Sequence, residues 1–210
     1  MKKVNTLRER LISVATQLVD QKGLADFSWR AVAKAAGVSH GAPSRYFADK
    51  TVLLEGVAAR GFVQLTDVCE RARRRFTDDP RAQLRAVCRG YLDYALHHPG
   101  VIHLLAGSVL PWPAVGEELR AAGQAAFVSF MEIIEQGQTA GVFRVNEIGQ
   151  TPDTEAAINM SYAALCTIHG LALFASGGPL RSLHDYPDKF EALVTSVFDT
   201  LLLGMDKRSQ

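Results

Sequence analysis

The 210-residue chain has few of the features that mark secreted, membrane-bound or metal-dependent proteins. It holds three cysteines, Cys69, Cys88 and Cys166, widely spaced and with no Cys-x-x-Cys pair. That spacing argues against a disulfide framework and fits free thiols in a reducing compartment. No uninterrupted apolar run reaches membrane-spanning length. The stretch MSYAALCTIHGLALFASGG comes nearest, and Ser161, Thr167 and His169 interrupt it. The start, MKKVNTLRERL, has two lysines but lacks the apolar core of a signal peptide. No segment alternates apolar and polar residues as a half-buried strand does, although VFRV suits a brief extension. No internal repeat is evident. These absences describe a cytoplasmic protein of one fold class, all-α, with no membrane segment.

The net charge of +1 would by itself hide a nucleic-acid binder. Residues 1–60, however, carry ten Lys/Arg against five Asp/Glu, a net +5, and the remainder carries 13 against 17, a net −4. The asymmetry points to a basic, anion-binding module joined to a mildly acidic one.

Helix signals fill the chain. Thr6 and Glu9 form a T-x-x-E capping box, so a helix starts near Leu7, with Leu11, Val14, Ala15, Leu18 and Val19 at helical spacing and Gly23 as its end. Ser28 caps a second helix that turns Val32, Ala33 and Ala36 inward, and Gly37 takes the left-handed position after it. Val38 is expected to plug the core and Ser39 to cap a third helix. Asp49 caps a long fourth helix from Lys50 towards Phe76, and Asp79-Pro80 opens another that runs to HHPG. VIHLLAGSVL is a short helix, after which Pro111 and Pro113 flank Trp112. Long helices follow over about 114–139, 153–175 and 187–204, the first two separated by AGVFRVNEIGQTPD.

Between the second and fourth helices lies AAGVSHGAPSRYF, where large apolar residues are scarce. A core helix would carry Leu or Ile there. Small and polar side chains after a Gly37-Val38-Ser39 turn are the pattern of a helix-turn-helix whose second helix enters the DNA major groove. Backbone N–H groups at the starts capped by Ser28 and Ser39 suit phosphate, and Lys50 adds a mobile cation. The DNA-contact candidates are Ser28, Trp29, Arg30, Ser39, His40, Gly41, Ala42, Ser44, Arg45, Tyr46 and Lys50. Pro43 removes the bond to the Ser39 carbonyl, so the recognition helix should be short and tight.

The segment WRAVAKAAGVSHGAPSRYFADKTVLLEGVAARGF resembles the N-terminal domain of TetR-type transcriptional repressors over roughly residues 5–60. Val32, Ala33, Ala36, Gly37, Val38, Ser39, Tyr46, Phe47, Lys50 and Leu53 match the family pattern. Ser44 departs from it, because the family usually places there a tyrosine that touches phosphate. IHGLALFASGGPL is similar to the branch with a Trp-His-Gly signature; His169 and Gly170 fit, and Ile168 replaces the tryptophan. The resemblance implies a three-helix DNA-binding domain over 1–50 and a helical effector-binding and dimerisation domain over 51–210, linked through the helix starting near 50.

Candidates for the effector cavity are Tyr91, Tyr94, His103, Trp112, Phe127, Phe130, Met131, Tyr162, Cys166 and His169, mostly apolar with a few hydrogen-bonding groups. The last two long helices carry more apolar residues than one buried face needs. Ala164, Leu171, Val194, Val197, Phe198 and Leu201 are accordingly expected at a homodimer interface. The alternative, a helical enzyme or interaction adaptor, finds little support. His97, His98 and His103 lack an acidic partner at zinc-binding spacing, and Cys166 with His169 lacks a readable third group. The expectation is a homodimeric repressor of near-palindromic double-stranded DNA, released by a small effector, with no cofactor, metal or catalytic residue.

Overall fold

The structure, a computed structural model, describes residues 6–106, 109–111, 114–145 and 152–207. Eight α-helices form among them: α1 (Leu7–Lys22), α2 (Trp29–Ala35), α3 (Lys50–Arg73), α4 (Pro80–His97), α5 (Pro99–Leu105), α6 (Glu117–Thr139), α7 (Thr154–Ser176) and α8 (Pro187–Met205). Single 3-10 turns occupy Pro43–Arg45 and Arg181–Asp185. The chain divides into two compact units, Met1–Val63 with His98–Gly123 and Gln64–His97 with Gln124–Gln210.

Local chemistry sets most helix starts. Thr6 and Glu9 close the expected capping box, the Glu9 N–H donating to the Thr6 hydroxyl at 3.3 Å and the Thr6 N–H to the Glu9 carboxylate at 3.0 Å. Asp49 accepts from the Val52 N–H, Asp79 from the Ala82 N–H and Asp153 from the Ala156 N–H. In the first unit α1 packs on α2 and α5. Leu11, Ala15, Val19, Val32, Leu53, Val57, Val101, Ile102 and Leu104 are fully buried there. Val14 and Leu18 of the expected stripe are only half-buried.

In the second unit α4 lies along α7, and α8 packs on both. Leu84, Leu92, Ile134, Ala157, Ala164, Ile168 and Ala172 are buried without residual exposure. Three arginines four residues apart on α4 pair in antiparallel order with acids from α8 onward: Arg81 with Asp206, Arg85 with Asp199, and Arg89 with Glu191. The Arg89 guanidinium holds the Glu191 carboxyl below its ordinary value. After α6 the chain turns at Gly141 and pairs with the end of α8 in one antiparallel bridge, Phe143 with Asp206. The brief extension expected of VFRV is this bridge.

Candidate nucleic-acid interface and effector core

The turn between α2 and the recognition element is built as the sequence implies. The Ser28 hydroxyl accepts from the Ala31 N–H at 3.3 Å. Gly37 has φ +65°. Its N–H reaches the Lys34 carbonyl at 3.2 Å, while the Val38 N–H reaches Ala33 at 3.0 Å. This is a Schellman ending, which needs the left-handed backbone that glycine takes without strain. Val38 is half-buried rather than a full core plug.

The expected third helix, capped by Ser39, does not form as an α-helix. Ser39 and His40 lie in a turn, and only Pro43–Arg45 is helical, as a 3-10 turn without a side-chain cap. The reason is Pro43, which has no N–H to give the Ser39 carbonyl. That carbonyl accepts instead from Ala42, one residue earlier, at 3.0 Å. Ser39, His40, Gly41, Ser44, Arg45 and Tyr46 are all exposed. Ala42 is buried at 8% exposure and supports the turn from within, so it is not a contact surface. The Ser44 hydroxyl donates to the Gly41 carbonyl at 2.9 Å, which uses the only proton it could offer a phosphate. Ser28 and Arg30 are exposed and Trp29 is half-buried. Lys50 sets its ammonium 5.3 Å from the centre of the buried Phe27 ring, and its own side chain stays exposed.

The charge of this region is uncompensated for a structural reason. Glu9, Asp20, Asp49 and Glu55 each accept a backbone N–H, from Thr6, Val101, Val52 and Gly116 respectively. Among the described residues Arg10, Lys22, Arg30, Lys34, Arg45 and Arg60 form no ion pair. Four of the five acids in residues 1–60 thus serve helix ends, and the cations are left to face solvent or a polyanion.

The effector candidates divide. Tyr91, Tyr94 and Phe130 are buried, and Phe127, Met131 and His169 are half-buried. The Tyr91 hydroxyl and His169 Nδ1 share a hydrogen bond, and Tyr94 donates to Gln64 at 3.3 Å. Burial raises the Tyr91 phenol above its ordinary value, and it pushes the Cys69 and Cys88 thiols up to about 12. These groups form a polar cluster on α3, α4 and α7. His103, Tyr162 and Cys166 are exposed, because each falls on the outward side of its helix, although the Tyr162 ring lies 4.9 Å from that of Phe127. Trp112 lies outside the described residues.

The interface candidates also sort by face. Ala164, Leu171, Val194 and Phe198 are buried inside the chain's own core, so they have no surface to offer, while Val197 and Leu201 are half-buried. The outward side of α7 carries Tyr162, Ala163, Cys166 and Phe174 instead, and Leu203 is 68% exposed on α8. A groove of about 390 Å³ runs between α7 and α8 past Asn159, Ala163, Thr200 and Leu201. Helix α7 is long and apolar enough to cross a membrane by length and composition alone. One of its sides is core here.

A capped helix, a Schellman turn, an exposed polar element and unpaired cations around them define a helix-turn-helix DNA-binding protein with an attached helical domain. The chain belongs to the TetR family of bacterial regulatory proteins. Residues 11–57 match the tetR-family regulatory domain and residues 84–197 the tetracycline-repressor-like C-terminal domain. The HTH-type transcriptional regulator BetI of Stenotrophomonas maltophilia is 40% identical over 86 residues, 41% of this chain and 44% of that protein. The chain thus spans less than half the length of this curated relative. A protein of unknown function from Rhodococcus sp. RHA1 is 30% identical, with TM-score 0.79 and 98% of both chains covered. BioQ, solved with its double-stranded DNA operator, shares the fold at TM-score 0.59 and 21% identity, over 93% of this chain and 98% of that one. The protein is a TetR-family transcriptional regulator with a DNA-binding helix-turn-helix.

Proposed function

We propose that the protein is a homodimeric cytoplasmic repressor that holds a near-palindromic operator and releases it when a small, mostly apolar effector binds. The observation that carries the DNA reading is the exposed element at residues 39–46, set between unpaired cations and held by a glycine-dependent turn. Residues 1–50 would contact DNA and residues 51–210 would bind the effector and dimerise. The hydrogen-bonded Tyr91, Tyr94 and His169 and the apolar Phe127, Phe130 and Met131 support a mostly apolar ligand that needs few hydrogen bonds. The outward apolar residues of α7, together with Leu203, support a two-fold helical interface. Effector binding would favour a dimer whose reading elements no longer match successive major grooves.

The test is anisotropy with labelled duplex from the gene's own upstream region. Affinity should fall steeply with salt. Lys50→Ala should weaken all sequences alike, and Arg45→Ala should cost about 1–3 kcal/mol at one base pair if it reads guanine. Binding that ignores salt, or no binding to any duplex, refutes the reading. Light scattering should give a dimer that Tyr162→Glu weakens.

A further inference from the structure

Asp20 stands in the last turn of α1, where a carboxylate faces the negative end of the helix dipole. It is only 15% exposed. Its two oxygens are both occupied, Oδ1 by the Val101 N–H at 3.1 Å and Oδ2 by His98 Nδ1 at 2.8 Å. Val101 is the third residue of α5, a helix with no side-chain cap of its own and no acid in its first turn. Asp20 therefore performs for α5 the task that an N-cap aspartate performs for its own helix.

A second borrowed cap lies nearby. Glu55 of α3 accepts the N–H of Gly116, the residue just before α6, at 3.1 Å. In a capping box the glutamate that reaches this N–H sits three residues further along the same helix. Here it comes from a different one. The backbones also interlock, since a Cβ on Gly100 would fall 2.1 Å from the Val19 carbonyl oxygen. No side chain fits between α5 and the end of α1. The starts of α5 and α6 are thus seated on α1 and α3 by two carboxylates that the local rules for helices would not place there.

We propose that Asp20 and Glu55 are positioning residues for operator recognition, holding the starts of α5 and α6 on the helix-turn-helix so that each copy presents its reading element in one fixed attitude. This rests on the reading of the protein as a dimer on a palindrome. Without the caps each helix-turn-helix still folds and still fits one half-site. Only a fraction of dimers would then have both elements set for two half-sites at once, and apparent affinity drops by that fraction.

The experiment compares full-length wild type, Asp20→Ala and Glu55→Ala on three labelled duplexes: the palindrome that wild type selects from a random pool, one half of it, and a scrambled sequence. Alanine leaves no oxygen to accept the Val101 or Gly116 N–H, whereas asparagine and glutamine would keep one. Asp20→Ala should weaken the palindrome about tenfold and leave the half-site within about twofold. Exchange of the Val101 amide should be faster in the same variant. Equal weakening of palindrome and half-site, or weakening of neither, overturns the proposal. If Asp20→Ala does not fold, Glu55→Ala carries the same comparison with the same two outcomes. A wild type that binds no duplex refutes the DNA reading, and one that binds palindrome and half-site equally refutes the dimer reading. Either also removes the positioning role.

Discussion

Gly137 gives the sharpest stability test. It is buried in α6, and the Phe143 ring lies directly on it. A methyl group at Gly137 would fall 2.1 Å from Cδ2 and 2.4 Å from Cε2 of that ring. Carbon atoms in contact want about 3.5–4.0 Å. Phe143 is 1% exposed, so the ring has no free space to tilt into. Gly137→Ala must either expel it or move the turn that carries it. Losing the burial of a phenylalanine costs about 1.5–3 kcal/mol, and the vacated volume adds to this. Alanine in place of glycine in a helix returns about 1 kcal/mol. The net expectation is a loss of about 2 kcal/mol, or roughly 4–8 °C in melting temperature for a chain of this size. Gly204→Ala, in α8 with nothing within 4 Å of its methyl, is the matched control and should stabilise by up to about 1 kcal/mol. Thermal and urea melts followed by circular dichroism decide the matter. A Gly137→Ala protein that melts at or above wild type refutes the packing argument.

Gly37→Ala should cost about 1 kcal/mol in stability, because φ +65° is a conformation alanine resists, and should weaken DNA binding as the turn opens. Thiol labelling of native protein at pH 8 should spare Cys69 and Cys88, whose thiols burial keeps protonated to about 12, whereas Cys166, exposed on the single chain, should react rapidly once Tyr162→Glu opens the dimer. Three equally fast cysteines would contradict that burial. The same shift has a sign for stability. The folded state holds these protons more tightly than the unfolded one, so their contribution is complete below about pH 9 and is lost as pH rises towards 12. Cys88→Ala should flatten that alkaline decline.

Much of the fold was legible because its signals are local. Thr6 with Glu9, Ser28, Asp49, Asp79 and Asp153 cap helices within three residues of themselves, and Gly37 ends one. The shortness of the recognition helix followed from Pro43, although its contraction to a single 3-10 turn did not. Which residues of α7 and α8 face the core was harder to read. Helix α7 is apolar on almost every side, so spacing could not tell the side that meets α4 from the side that meets solvent. Tyr162 and Ala164 look equally suited to either in the sequence, yet one is 56% exposed and the other fully buried. The borrowed caps were invisible for a related reason. Asp20 and Val101 are 81 residues apart, and an acid at a helix end reads as a defect until its partner is in view.

The use of carboxylates as helix caps in the first 60 residues carries an evolutionary consequence. A DNA-binding protein can ordinarily gain hold on DNA by exchanging acids near its contact surface for apolar or basic residues. Here that route is obstructed. Replacing Glu9, Asp49, Asp20 or Glu55 by a residue with no acceptor oxygen would strengthen long-range attraction to DNA, but each change removes a bond to a backbone N–H at a helix start. Variants selected for tighter binding should therefore add lysine or arginine on exposed positions and keep those four acids, and their charge should climb by addition.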